Sequence, residues 1–414
     1  MRRDTRRQGE NTRAVHLPSP PAPQQSPVGL PVWRTSAFAF ADAAEHAGLA
    51  SGHVANPTAE AFAAGLAALE GAGLDGDPVE GEAFGSGMAA VTAVFLAFAR
   101  SGAHVVAPSS MYGGTRDLLT GTLGRFGVDT TFADLGDADA VRAAMRPATR
   151  LVWAETLGAS GLEVPDLPLL AELAHEAGAL LVADSTLATP VVCRPLEHGA
   201  DLVVHAASTF IGGHGDATGG AVIGRPEPLE AVRRVRSETG SVLAPDEAFL
   251  LRRGLETLPV RVRRQCDTAN LFAAAVAGHP GVRAVDYPGL PGHPGHELAR
   301  RLFTAGPEGT RFGAVVTVTP HGGRDAGPAL VDALRLPLVA ASLGGTHTTV
   351  AHVASTTHPR LDEAAVRFSI GLEDVDDLVR DVTEALDTIG RALGSAAPPS
   401  PRPPAQTRLA AEPH

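Results

Sequence analysis

The sequence predicts an α/β protein, with a large domain on a mostly parallel seven-stranded sheet and a smaller C-terminal α/β domain. Three observations carry this expectation. Short, branched-rich apolar runs alternate with Ala/Leu-rich stretches of helical period from Glu80 to about Pro226. That alternation builds parallel sheets, because each crossover helix returns the chain to the same end of the sheet. A long helical pattern, Asp246 to about Ala277, then leads into a second α/β unit over 281–393. At 414 residues the chain is long enough for two domains with their own cores.

Taken in order, residues 1–10 are charged and polar, and 17–27 are rich in Pro, Ser and Gln, which reads as a flexible or extended arm. Asn56-Pro57-Thr58 opens an Ala/Leu-rich helix to about Glu70; a proline is tolerated there because the first helical N–H has no partner anyway. The candidate strands of the large domain are Glu82–Phe84, His104–Ala107, Asp129–Phe132, Leu151–Ala154, Leu180–Ala183, Leu202–Val204 and Ala221–Ile223. Helical patterns such as Ala89–Ala99 and Leu169–Ala177 lie between most of them. In the second unit, strands are expected at Ala314–Val318 and Ala365–Ile370. The tail from Ala396 is Pro-rich and reads as disordered. No internal repeat or coiled coil is evident.

Composition narrows the function. The formal net charge is −12 and no basic stripe is visible, which argues against nucleic acid as a partner. The longest apolar run, near Met88–Ala99, is too short to span a bilayer, and the N-terminal Arg pairs lead into polar residues rather than a signal sequence. Cys193 and Cys266 are the only cysteines, which fits a reducing cytoplasm without a disulfide framework. The chain contains no lysine; all 34 basic residues are arginine. A bias towards Ala, Gly, Arg and Pro codons accounts for the general depletion. Its consequence is that no lysine elsewhere in the chain, or in an identical subunit, can serve in chemistry.

Chemistry concentrates in residues 179–220. Asp184 follows one strand and His205 to Thr209 follow another. Open α/β sheets bind ligands beyond the carboxyl ends of their strands, so both ends are expected at one site. Ser86-Gly87-Met88 sits at a strand-to-helix junction, where Gly87 permits close backbone approach and open helix amides favour a phosphate. By itself such a junction also suits an ordinary tight turn. Met111-Tyr112-Gly113-Gly114-Thr115 holds one of only two tyrosines, and Arg367 lies in Ala-Val-Arg-Phe-Ser-Ile-Gly-Leu-Glu-Asp.

These segments resemble, in order over about residues 12–392, the Cys/Met-metabolism (transsulfuration) family of pyridoxal-phosphate (PLP)-dependent enzymes. That family includes cystathionine γ-synthases, cystathionine γ-lyases and methionine γ-lyases. The resemblance implies a PLP-dependent transferase fold of type I (aspartate aminotransferase-like). Its domains would be an N-terminal arm, partly disordered (1–57), a large cofactor-binding domain (58–250), a C-terminal domain (251–394) and a disordered Pro-rich tail (395–414). Thr12–His16 and Pro31–Ser36 resemble the family's N-terminal arm, which packs on a neighbouring subunit; a dimer or tetramer is therefore expected.

By the same resemblance, Ser86, Gly87 and Met88 form the phosphate loop and Tyr112 stacks on the pyridine ring. Asp184 pairs with the pyridine nitrogen, which keeps it protonated and the ring electron-accepting. Thr186 follows at the family spacing, and Ser208 occupies a hydroxyl position used for phosphate contact. Ser342 lies beside Arg367, whose planar fork suits the substrate carboxylate. The alternative for Arg367 is a strand arginine paired with a nearby acid. No metal is implied.

The departures are equally informative. Where the family has His-Ser-Ala-Thr-Lys-Tyr, this chain has His205-Ala206-Ala207-Ser208-Thr209-Phe210. Thr209 thus stands at the position of the lysine that holds the cofactor and moves protons at the substrate's α and β carbons. Ser51 and His53 replace groups that reach the neighbouring subunit's phosphate, Ala159 replaces an asparagine near the cofactor hydroxyl, and Ala206 a serine. His347 stands at a glutamate position, and Gly114 where methionine γ-lyases carry cysteine.

A threonine hydroxyl is neither an amine nor a base near neutral pH, and loss of a general base lowers rates on the order of 10²–10⁴-fold. No catalytic residue is therefore assigned. The expected function is C–S lyase-like or γ-synthase-like action on, or binding of, sulfur-containing or O-acylated amino acids, altered or reduced, with PLP held non-covalently. A histidine (His53, His205 or His214) would then replace the missing base. The alternatives are a non-catalytic paralogue, serving as ligand-binding or partner subunit of a lysine-bearing homologue, and a scaffold that has lost the cofactor.

Overall fold

The computed structural model describes residues 9–18, 27–38, 56–74, 76, 78–159, 161–306, 309–355 and 362–394. Ser51, His53 and the Pro-rich tail from residue 395 lie outside the described residues. After a short helix α1 (Glu10–Val15), the expected Ala/Leu-rich helix runs from Pro57 to Glu70 (α2), with the Asn56 side chain accepting from the Thr58 amide as its cap.

Seven strands follow: β1 Glu80–Phe84, β2 His104–Pro108, β3 Asp129–Ala133, β4 Thr149–Glu155, β5 Leu180–Asp184, β6 Leu202–Ala206 and β7 Gly220–Gly224. Each contains its expected run, extended by one to three residues. Their order is β1-β7-β6-β5-β4-β2-β3. Strands β3, β2, β4, β5 and β6 are mutually parallel, whereas β7 runs antiparallel to both β6 and β1.

Alternation along the strands divides the core into two layers. Leu151, Trp153, Val182, Leu202 and Val204 face helix α3 (Gly87–Phe98) through Val91 and Phe95. Val152, Ala154, Leu181, Ala183 and Val203 face the opposite layer, with Phe62, Leu66, Leu170 and Leu255. Both faces being covered explains why the central strands read as continuous apolar runs. Polar residues therefore begin where the strands end, at Glu155, Asp184 and Ala206 onward.

Between β2 and β3 lie helix α4 (Gly113–Asp117) and a π-helical turn over Leu118–Leu123. A 33-residue helix, Pro245–Ala277, then links the two α/β units, and the expected boundary at 250/251 falls inside it. Its first half packs Leu251, Leu255 and Leu258 into the large core; later, Phe272 meets Phe368 with ring centroids 5.3 Å apart. A two-stranded sheet pairs β9 (Ala305–Gly306) with β10 (Gly309–Thr310), and the second large sheet runs in the order β12 (Leu338–Val339), β13 (Thr349–His352), β14 (Val366–Ser369), β11 (Val315–Pro320) and β8 (Val282–Asp286). Its centre is β11 (Val315–Pro320) and β14 (Val366–Ser369), close to the two expected strands. The flanking β8 (Val282–Asp286) and β13 (Thr349–His352) were not expected. Amphipathic helix Val375–Gly394 closes this unit.

Candidate functional site

A cavity of about 500 Å³ lies beyond the carboxyl ends of the central strands. Ser86, Gly87, Met88, Tyr112, Asp184, Thr186, Ser208 and Ser342 all line it, as does Thr209. Eight expected ligand positions and the lysine position thus converge from four connections and the second domain.

Each is held by local structure. Ser86 leaves β1 extended and caps α3, its Oγ accepting from the Ala89 amide at 3.1 Å. The amides of Gly87 and Met88, in the first turn, have no partner within the helix. Gly87 is required because a Cβ there would lie 2.5 Å from the Ala206 Cβ, so the loop sits directly on β6. Tyr112 donates its amide to Glu155 Oε1 at 2.6 Å, and its ring folds over Gly114, where a Cβ would come within 2.6 Å of it. The ring stays 51% exposed.

Asp184 ends β5, with Oδ1 accepting from the Thr186 amide at 3.0 Å. Burial raises its pKa above the ordinary carboxylate range, opposed by its bonds to the Thr186 hydroxyl and amide. No cationic side chain hydrogen-bonds to it among the described residues. Thr186 in turn accepts from the Ala206 amide at 2.9 Å, locking the Asp184 loop to the end of β6.

Thr209 faces the same space, but its hydroxyl donates to Ala206 O at 2.7 Å, within its own turn. That turn is clamped from behind by Arg261, only 6% exposed. Its guanidinium donates to Phe210 O (2.9 Å), Ile211 O (3.1 Å) and Gly254 O (2.9 Å), and Nε donates to Thr257 Oγ1. Gly213 has φ +71°, and any side chain there would collide with this guanidinium. Sequence reasoning missed Arg261; its signal was an arginine on the apolar stripe of the long helix.

Glu155 was missed as well. It ends β4 in register with Asp184, lines the cavity, and also borders a second cavity of about 870 Å³. Its Oε1 takes the Tyr112 amide and Oε2 the Ala159 amide at 2.7 Å, tying two loops together. Burial first, and Asp184 second, push its pKa up to about 8. An acid at the end of a buried strand was the available signal.

Arg367 does not line the cavity. It lies on β14 on the same face as Ser369, whose Oγ accepts from Gly344 in the Ser342–Gly345 loop at 2.9 Å. Burial lowers the pKa of its guanidinium, which pairs with no acid among the described residues.

The histidines require a correction. His205 is fully buried, hydrogen-bonded at 2.7 Å to buried Glu70, and points to the layer of Val203 rather than into the cavity. His214 bonds Gly212 O and does not line the cavity either. A one-residue step along β6 reverses the face, which separates His205 from Ala206. The titratable side chains that line the cavity, among the described residues, are Tyr112, Glu155 and Asp184.

Comparison with known proteins bears directly on this geometry. A family model for Cys/Met metabolism PLP-dependent enzymes matches residues 11–387. The chain belongs to this family. Cystathionine gamma-synthase of Mycobacterium tuberculosis is 38% identical over 387 residues, covering 91% of this chain and 97% of the relative. The crystal structure of metB from Corynebacterium glutamicum superposes with a TM-score of 0.86 at 34% identity, covering 93% of this chain and all of that one. That of metY from Campylobacter jejuni, which contains N'-pyridoxyl-lysine-5'-monophosphate, gives 0.83 at 27% identity, with 91% and 99% covered.

The fold is therefore the type I PLP-dependent transferase fold, and the Cys/Met family is PLP-dependent and processes small amino-acid substrates. Among the described residues no helix is long and apolar enough to cross a membrane. The cavity suits such a cofactor in part. A half-buried carboxylate without a hydrogen-bonded cation, a glycine-floored loop with open amides and a half-exposed tyrosine match a flat, phosphorylated heterocycle. Nothing in it matches covalent attachment.

Proposed function

We propose that this Cys/Met-family chain takes PLP non-covalently beside a sulfur-containing or O-acylated amino acid, with C–S lyase-like or γ-synthase-like activity altered or reduced. One observation carries the reading: Thr209 faces the cavity with its hydroxyl turned into its own turn, in a chain that has no lysine. Ser86, Gly87, Met88 and Ser208 would hold the phosphate, Tyr112 would cover the ring and Asp184 would meet its nitrogen. When bound, the cofactor supplies a protonated ring that accepts electrons.

The remaining work falls to the chain itself. Asp184, fixed by Thr186, would orient the ring nitrogen. Arg367 directs the amino-acid carboxylate. Glu155 anchors the Tyr112 loop and, with its pKa about 8, holds a proton at neutral pH. None of these is a flexible amine, so proton movement at the α and β carbons is slowed by on the order of 10²–10⁴-fold. The N-terminal arm segments support a homo-oligomer, and the free Cys193 and Cys266 a reducing, cytoplasmic setting.

Titration of the purified chain with PLP, followed by absorbance, tests the reading. Saturable binding should appear, and borohydride followed by denaturation should leave no stoichiometric label on the chain. Retained label, or turnover of cystathionine or O-acylhomoserine at the rate of a lysine-bearing relative, overturns it.

A further inference from the structure

We infer, resting on the cofactor reading above, that the buried Glu70–His205 pair positions Asp184, acting through the end of β6 and not by contact with a ligand.

Neither side chain reaches the surface. Both are 0% exposed, and Glu70 Oε1 meets His205 Nε2 at 2.7 Å. Glu70 is the last residue of α2 and His205 lies in β6, so the bond crosses from helix to strand. It also stands alone, because Glu70 Oε2 and His205 Nδ1 have no hydrogen-bond partner among the described residues. Apolar side chains of similar volume would serve stability as well or better. What they lack is direction: a hydrogen bond fixes both the distance and the angle at which residue 205 stands against the helix.

That position matters because the two neighbours of His205 hold the Asp184 loop. Val204 O accepts from the Ser185 amide at 2.9 Å, and the Ala206 amide donates to Thr186 Oγ1 at 2.9 Å. Thr186 in turn fixes the carboxylate, its amide donating to Asp184 Oδ1 at 3.0 Å. The pairing of β5 with β6 ends at Asp184 and Val204, so the loop depends on where the last residues of β6 stand. A displaced residue 205 therefore reaches Asp184 in two bonded steps. A functional carboxylate must be held within about 0.5 Å of its productive place, so a small displacement is enough to weaken its bond to a ring nitrogen.

The test is calorimetric titration of the full chain with two probes, PLP and its 1-deaza analogue. The analogue has C–H in place of the ring nitrogen and keeps the aldehyde, hydroxyl and phosphate. The parent should bind PLP at least about tenfold more tightly than the analogue, the factor that a charge-assisted hydrogen bond confers. Two variants remove the pair: Glu70→Met, and Glu70→Leu combined with His205→Phe. Each, checked for folding by circular dichroism, should reduce the preference to within about twofold. His205→Gln, whose amide still donates to Glu70, should keep it. A merely structural role would lower the urea midpoint and leave the ratio of the two affinities unchanged. A preference kept in either folded removal variant overturns the inference and leaves the cofactor reading standing. Its loss in His205→Gln overturns the bond to Glu70 as the means. Equal binding of both probes by the parent overturns the contact of Asp184 with the ring, and the inference with it. Failure of both probes to bind overturns the cofactor reading itself.

Discussion

Thr209→Lys places an amine at the position that the resemblance gives to the family's lysine, and the structure sets what that change does to fold and chemistry separately. The side chain lines an open cavity of about 500 Å³, so a longer residue extends into free space rather than into the core. One contact is lost, the hydroxyl bond to Ala206 O. That carbonyl keeps a second donor, the amide of residue 209 at 3.3 Å, so no acceptor is orphaned and the loss is about 0.5–1.5 kcal/mol. The turn itself is fixed by Arg261 through backbone carbonyls, which the substitution leaves untouched. Folding is therefore expected to survive with a melting temperature lowered by only a few degrees. Chemistry should change far more. The variant should turn yellow with PLP, retain borohydride-trapped cofactor after denaturation, and gain on the order of 10²–10⁴-fold in turnover of O-acylhomoserine or cystathionine. Absorbance, mass spectrometry of the reduced protein and a coupled assay measure the three effects. A variant that melts like the parent yet neither binds PLP nor turns over substrate would refute the reasoning, because the missing amine would then not be what limits this site.

Other perturbations probe the walls. Burial raises the Glu155 pKa from the ordinary 4.5 to about 8, so its contribution to stability is fully present below about 4.5 and is lost as pH rises through about 8. The parent's melting temperature should accordingly fall as pH rises from roughly 5 to 8 and level off above that, and Glu155→Gln should flatten the fall. Because an amide accepts through one oxygen only, either the Tyr112 or the Ala159 N–H loses its acceptor, a loss of about 1–3 kcal/mol at every pH. A fall of equal steepness in the variant would assign the titration elsewhere. Arg261→Met withdraws a charged donor from three carbonyls; the loss of about 1–3 kcal/mol for each, partly offset by no longer burying a cation, should lower the urea midpoint clearly. Gly87→Val drives a side chain into Ala206 and should abolish PLP binding while circular dichroism stays near that of the parent.

Much of this architecture was legible because burial on both faces of the central strands writes an unmistakable apolar run. Leu180–Ala183 and Leu202–Val204 are both found inside their strands, with the functional residues just beyond their ends. Strand β8, by contrast, is partly exposed along its length and carries Arg283 and Asp286, so periodicity gave no signal. The cavity-lining residues Ser86, Tyr112, Asp184 and Ser208 could be named through the family resemblance, and each stands at or beyond the end of a strand. Glu155 and Arg261 escaped for a common reason. Their partners are backbone groups, and a backbone acceptor or donor leaves no mark in the sequence at the far end of the contact. His205 misled in the opposite way: adjacency to Ala206 and Thr209 in the chain suggested proximity in space, but alternation along β6 sends its ring to Glu70.

The same contacts explain how a cofactor-type cavity persists around Thr209. Arg261 fixes the turn through the carbonyls of Phe210 and Ile211, and Gln265, four residues on along the same helix, donates to Gly345 O at 2.8 Å. One helix face thus sets the position of both the Thr209 turn and the Ser342–Gly345 loop. On the opposite wall, Glu155 joins the Tyr112 and Ala159 loops, and Thr186 joins Asp184 to β6. None of these bonds passes through the side chain of residue 209. In this fold the shape of the site and its reactive amine are separate properties. A threonine at the position that the resemblance gives to lysine would remove the second at little expense to the first, which is why binding, rather than turnover, is the property to measure first.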